Sequence, residues 1–106
     1  MNTQEIYANI IGFPNYQIST FGNCKNIKSG RILKGKFRGE TLTVVLTNDI
    51  EKRYKSISQL VAQAFLEHPI GGRFIDYEIV EHIDRNWRNN HLTNLKYQTP
   101  RENTKS

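Results

Sequence analysis

The sequence predicts an α+β fold, with an N-terminal antiparallel β module packed on a C-terminal unit that reads helix, strand, polar loop, strand, helix. Three observations predict it. Thr41 to Thr47 alternates in polarity with the period of a half-buried strand. Ser56 to Phe65 repeats apolar residues at helical spacing behind a capping serine. Asp84 to Asn94 crowds Asn, Asp and Arg between two strand-like stretches, the composition of an ordered polar loop.

Taken in order, Tyr16 to Ser19 alternates as a strand, Phe21-Gly22-Asn23 turns the chain, and Cys24 to Ile27 continues as a strand. Ser29-Gly30 supplies a second turn, before Arg31 to Lys34. In the segment from Thr41 to Thr47, Leu42, Val44 and Leu46 share one face and Thr41, Thr43 and Thr47 the other. Asn48-Asp49 turns the chain so that Arg53 to Lys55 pairs back as a hairpin. Ser56 then caps a helix with Gln59 as its capping-box partner. Leu60, Val61, Ala64 and Phe65 form the apolar stripe, and Pro69 ends the helix near His68. Gly71-Gly72 leads into a strand from Tyr77 to Ile83, and Leu95 to Gln98 resumes a strand after the loop. Thr99, Pro100 and Glu102 form a second capping box for a final helix. No Pro/Gly/Ser linker separates the halves, residues 1–55 and 56–106, so they are expected to pack together.

Composition narrows the function. Hydrophobic residues make up 37% and charged residues 24% of the 106 residues, a globular balance. No apolar run approaches the ~20 residues of a membrane span, and the polar N-terminus does not read as a secretory signal, so an intracellular location is expected. The lone Cys24 excludes an internal disulfide and a multi-thiolate zinc site. It reads as a small packing residue. A net charge of +5 favours polyanionic partners. Lys25, Lys28, Arg31, Lys34, Lys36 and Arg38 follow one another with no intervening acid, on what reads as a short hairpin. A phosphate backbone would relieve their mutual repulsion.

The residues around the polar loop carry chemistry. Glu81 and His82 end the strand before it, Asn94 closes it, and Asn103 lies in the first turn of the last helix, whose N-terminus favours anions. Phosphodiester hydrolysis needs a base near neutral pH and a cation at the phosphate. Glu81 and the Asn103 amide oxygen are hard ligands suited to Mg²⁺ or Mn²⁺. The Asn94 carbonyl can accept a hydrogen bond from one imidazole N–H and leave the other nitrogen free as base. Asn86, Asn89 and Asn90 read as loop-backbone partners, and Trp87 as an anchor of the loop in the core. Arg85, Arg88, His91 and Arg101 surround the site and suit phosphate contacts.

Glu81-His82-Ile83-Asp84-Arg85-Asn86, Asn89 to Leu95 and Thr99 to Asn103 together resemble the HNH endonucleases of homing and phage type, which fold this region as a ββα-metal motif. Ile11-Gly12-Phe13, Tyr16 to Ser19, Phe21-Gly22-Asn23 and Gly30 to Leu33 resemble the β-rich, DNA-associated module often fused ahead of such domains. The resemblance implies His82 as general base, Asn94 as its orienting residue, and Asn103 and Glu81 as ligands of a divalent metal. It also implies double-stranded DNA as substrate, and a homodimer or two successive nicks where both strands are cut. The sequence departs from the family at Glu81, where Asp or Asn is usual, and at Ser58, where the upstream helix usually carries His. Those departures define the rival reading, a DNA-binding module of the same fold without cleavage. A small RNA-binding protein would equally use the Lys25 to Arg38 patch, but gives no reason for the Glu81, His82, Asn94 and Asn103 set.

Overall fold

In the computed structural model, which describes residues 4–66 and 79–98, three antiparallel sheets surround one short helix. Tyr7–Ile10 (β1), Phe13–Ser19 (β2) and Cys24–Asn26 (β3) form the first, in the order β1-β2-β3. Lys36–Arg38 (β4), Thr41–Thr47 (β5) and Lys52–Ser56 (β6) form the second, in the order β4-β5-β6. Ile79–His82 (β7) and Leu95–Gln98 (β8) make a two-stranded ribbon. The helix is Ile57–Phe65 (α1). The class is therefore α+β, as the sequence predicts.

Side-chain alternation explains the long strands. In β5, Val44 and Leu46 are buried and Leu42 packs at the margin of the same core, while Thr41, Val45 and Thr47 face solvent. Asn48 closes the β5–β6 hairpin, its Oδ1 accepting the N–H groups of Ile50 and Glu51 at 2.8 Å each. Its Nδ2 donates to the carbonyl of Gly12 at 2.9 Å, in the β1–β2 turn. The Tyr16 hydroxyl lies 3.1 Å from Thr47 Oγ1 and joins the two three-stranded sheets.

Ser56 ends β6 and caps α1, its side chain accepting from the Gln59 N–H at 3.4 Å. Ile57, Leu60, Val61 and Ala62 are buried, so Ala62 takes the place expected for Ala64, which is exposed. The stripe is wider than helical spacing suggests because α1 packs against strands of all three sheets. Burial of Ile57, Leu60 and Val61 stabilises the fold by about 1.5–3 kcal/mol each. The helix stops at Phe65, with Leu66 already extended, before the expected end near His68.

One core joins both halves. Ile10, Phe13, Tyr16, Ile18, Cys24, Val44 and Leu46 pack with Ile57, Leu60, Val61 and Leu95, and Val80 and Leu92 flank the cluster. Two strands escape the sequence pattern. β1 is a short strand with a bulge between Asn9 and Ile10, and β4 is exposed at all three residues, so neither alternates. Arg31 to Lys34, expected as a strand, makes only the isolated bridge Lys25–Ile32. The Gly71-Gly72 loop, the start of the strand at Tyr77 and the capped helix from Thr99 lie outside the described residues. Among the described residues no helix is long and apolar enough to cross a membrane.

Cys24 fills the core at 1% exposure, and burial pushes its thiol up to about 11 from an ordinary value of 9.0. The fold thus favours the neutral thiol, and this stabilisation is fully present below pH 9.0 and declines as pH rises toward 11. Native protein at pH 8 should resist iodoacetamide and become alkylated only in denaturing urea. Rapid modification of the native chain would place Cys24 outside the core.

Candidate active site

The β7–β8 ribbon sets Glu81 opposite Lys96 and His82 opposite Leu95, and residues 83–94 bridge the two strands. That bridge has little apolar surface, so polar side chains must hold it. The Asp84 carboxylate accepts the Asn86 N–H at 2.7 Å, Asn89 Nδ2 at 3.1 Å and Asn94 Nδ2 at 2.9 Å. These bonds, the Asn86 backbone first, hold its carboxyl below the usual Asp range. Asn86 Oδ1 accepts the Arg88 N–H at 3.1 Å, and Asn89 Oδ1 accepts the His91 N–H at 3.3 Å. Arg85 takes the left-handed conformation, φ 63°, immediately after this clasp, and its N–H returns to the His82 carbonyl at 3.0 Å.

Asn94 differs from its expected role. Its backbone carbonyl accepts the Ile83 N–H at 2.7 Å and its Oδ1 accepts the Asp84 N–H at 3.0 Å. Its Nδ2 also donates to the Asn89 carbonyl at 2.9 Å. Both Asn94 carbonyl groups are thus engaged by backbone donors just after His82, and neither serves the imidazole. Asn94 holds the two ends of the loop together, which places His82 without touching its ring.

The partner of the ring is Asn90, whose Oδ1 lies 2.8 Å from His82 Nε2. An amide oxygen only accepts, so Nε2 carries the hydrogen, and in the neutral ring Nδ1 carries the lone pair. Asn90 is 6% exposed, unlike Asn86, and serves an imidazole where loop backbone was expected. Sequence alone offers no signal for which asparagine turns inward, because that choice is made by packing from the N-terminal half.

The remaining candidates separate. The Glu81 carboxylate is half-exposed and stands 3.7 Å from Lys96 Nζ. His91, expected at phosphate, caps the 3-10 turn Leu92–Asn94: its Nδ1 accepts the Thr93 N–H at 3.2 Å, and its ring stacks on Phe21 at 4.8 Å. Trp87 anchors the loop, though on exposed β4 rather than in the core, meeting Phe37 edge-on at 5.0 Å with the Arg88 guanidinium 5.1 Å over its own ring. Arg85 and Arg88 are exposed within the loop. The basic run does not form one hairpin. Lys25 lies on β3 over the Tyr7 ring at 4.2 Å, whereas Lys36 and Arg38 lie on β4, Arg38 over Tyr54 at 4.4 Å. Lys28, Arg31 and Lys34 occupy the connection between the sheets. Ser58, where the family usually has His, is half-buried with its hydroxyl 3.0 Å from that of Ser56. Asn103 and Arg101 lie outside the described residues.

The NUMOD4 motif family matches residues 5–47, which contain β1 to β5. Two uncharacterized HNH endonucleases of Acanthamoeba polyphaga mimivirus are similar to the chain. One is 36% identical over 91 residues, 84% of this chain and 26% of the relative. The other is 36% identical over 95 residues, 89% of this chain and 23% of the relative. The chain thus spans about a quarter of the length of these curated relatives. Among solved structures, one of DNA binding and cleavage by the HNH homing endonuclease I-HmuI superposes with a TM-score of 0.75 at 27% identity. That match covers 93% of this chain and 55% of the other. Residues 5–47 thus carry a NUMOD4 motif, and by sequence and fold the chain is similar to HNH endonucleases.

Proposed function

We propose that the chain hydrolyses DNA phosphodiesters with His82 as general base and one divalent ion, Mg²⁺ or Mn²⁺. The observation that carries this reading is the His82–Asn90 pair at 2.8 Å. It directs the ring's hydrogen to Nε2 and leaves Nδ1 to take a proton from water. The water oxygen forms its bond to phosphorus as the bond from phosphorus to the 3′ oxygen breaks. The water's proton resides on His82, and the departing oxygen takes a proton from solvent. Arg85 and Arg88 lie exposed in the loop and would hold flanking phosphates, as would Lys25, Lys28, Arg31, Lys34, Lys36 and Arg38.

The donor set fits a hard cation. Glu81 offers a half-exposed carboxylate whose contact with Lys96, at 3.7 Å, is long enough to yield to an ion. Among the described residues no cluster of three His, Cys, Asp or Glu exists. The ion would therefore be held by Glu81 and the Asn103 amide, with water and phosphate completing its shell. When bound, it supplies charge stabilisation for the phosphate and the leaving oxygen. DNA bound without cleavage under either metal would favour the rival reading of a binding module.

Nicking of supercoiled plasmid in Mg²⁺ or Mn²⁺ tests the reading, with loss of product on chelation. His82→Ala should lower the rate by about 10²–10⁴-fold, and equal nicking by both proteins removes the base assignment. Lys96→Met frees Glu81 from a half-exposed ion pair worth up to about 1 kcal/mol, so half-maximal nicking should need up to about fivefold less metal. An unchanged or higher requirement would argue that Glu81 is not a ligand. Asn94→Ala should destabilise the metal-free chain by about 1–3 kcal/mol in urea titrations, by removing its part-buried side-chain bonds to Asp84 and Asn89. A neutral result would refute the clasp.

A further inference from the structure

Three consecutive residues of the N-terminal half meet three consecutive residues of the nuclease loop. The Thr20 carbonyl accepts the Leu92 N–H at 2.7 Å. The Phe21 ring stacks on His91 at 4.8 Å. Gly22 lies against Asn90 so closely that a Cβ built there would stand 3.0 Å from Asn90 Cβ and 3.1 Å from its carbonyl oxygen.

The turn that presents these groups is itself rigid. Ser19, with no exposed surface, accepts the Phe21 and Asn23 N–H groups on its Oγ at 3.1 Å each. Its backbone N–H donates to the Asn23 carbonyl at 2.9 Å, and its carbonyl accepts the Gly22 N–H at 3.0 Å. Gly22 adopts φ +88°. On its other side, Asn90 meets His82 Nε2 at 2.8 Å. A continuous chain of contacts therefore runs from the N-terminal sheet to the imidazole.

We propose that Gly22 and Asn90 are positioning residues of the nuclease: the turn Ser19–Asn23 seats Asn90 against His82 and so sets the tautomer of the base. This rests on the reading of His82 as base. The module matched by the NUMOD4 motif then completes the active site in addition to any contact it makes with DNA. Side chains larger than hydrogen at position 22 must displace Asn90 backbone, which has no flexible end to give way. A shift of a few tenths of an ångström lengthens the bond that holds the hydrogen on Nε2.

The test compares Gly22→Ala with Gly12→Ala in the full chain. Gly12 has nearly the same backbone, φ +87°, but nothing within 4 Å of its added Cβ. Both variants carry the strain of a positive φ, and only one presses on Asn90. In metal-free protein at fixed pH, ¹⁵N shifts of the His82 ring should report hydrogen on Nε2 in wild type and Gly12→Ala. They should move toward mixed tautomers in Gly22→Ala and in Asn90→Ala. In nicking assays, Gly22→Ala should lower kcat by about tenfold or more with KM within about twofold. It should add little once Asn90 is already Ala.

Should Gly22→Ala not fold, Phe21→Ala loosens the same turn without a positive-φ demand and should move the ring shifts in the same direction. Wild-type hydrogen on Nδ1, or a ring indifferent to both turn variants, overturns the inference. The spectra decide it without cleavage, so a ring that responds supports it even if His82→Ala nicks like wild type, the result that removes the base assignment alone.

Discussion

Everything in the chain depends on covering α1 with elements from both halves. Val61 and Ala62 are both fully buried, and positions so close together cannot be covered by one sheet alone. The three-stranded sheets supply Ile18, Val44 and Leu46, and the ribbon and its loop supply Leu95 and Leu92. The three-stranded sheets and the β7–β8 ribbon therefore pack side by side around α1, and contact between Thr20–Gly22 and Asn90–Leu92 follows from that packing.

The loop between β7 and β8 obeys a different rule. Apart from Ile83, Trp87 and Leu92 it has no apolar side chains, so its order comes largely from saturating hydrogen-bond donors and acceptors. Asp84 accepts from three partners, and Asn86, Asn89 and Asn94 all serve backbone groups within the loop. Such a network is costly if one member is missing, because each buried group then loses its partner outright. The network fixes the loop ends on either side of His82, the positional constraint that a base role of the kind proposed would need.

Much of this was legible in the residues. The strand Thr41 to Thr47, the Ser56 cap and the polar loop from Asp84 to Asn94 each express a local rule, so they can be read without tertiary information. β4 could not be read, since all three of its residues are exposed and no alternation marks it. The same reason hides the division of the basic run between two sheets, because charges report exposure and not sheet membership. At the site, His82 stands out as a base by its residue type and neighbours. Its partner does not. Asn86, Asn89 and Asn90 are the same residue within one loop, and only the approach of Gly22 distinguishes the one that turns inward.

The pairing of Glu81 with Lys96 has a further consequence for the site. Glu81 and His82 are adjacent on β7, so their side chains leave opposite faces of the ribbon, the carboxylate toward Lys96 and the ring toward Asn90. A base and a ligand on opposite faces can serve one phosphate only near a strand end, where the chain turns away and both sides are reachable. His82 is the last residue of β7, and the left-handed Arg85 begins that turn three residues later. The second methylene of Glu81 lengthens its reach around the strand edge. Glu81 is thus compatible with holding an ion near His82, provided the ion outcompetes the ammonium of Lys96. A half-exposed ion pair at 3.7 Å is a weak competitor for a divalent charge.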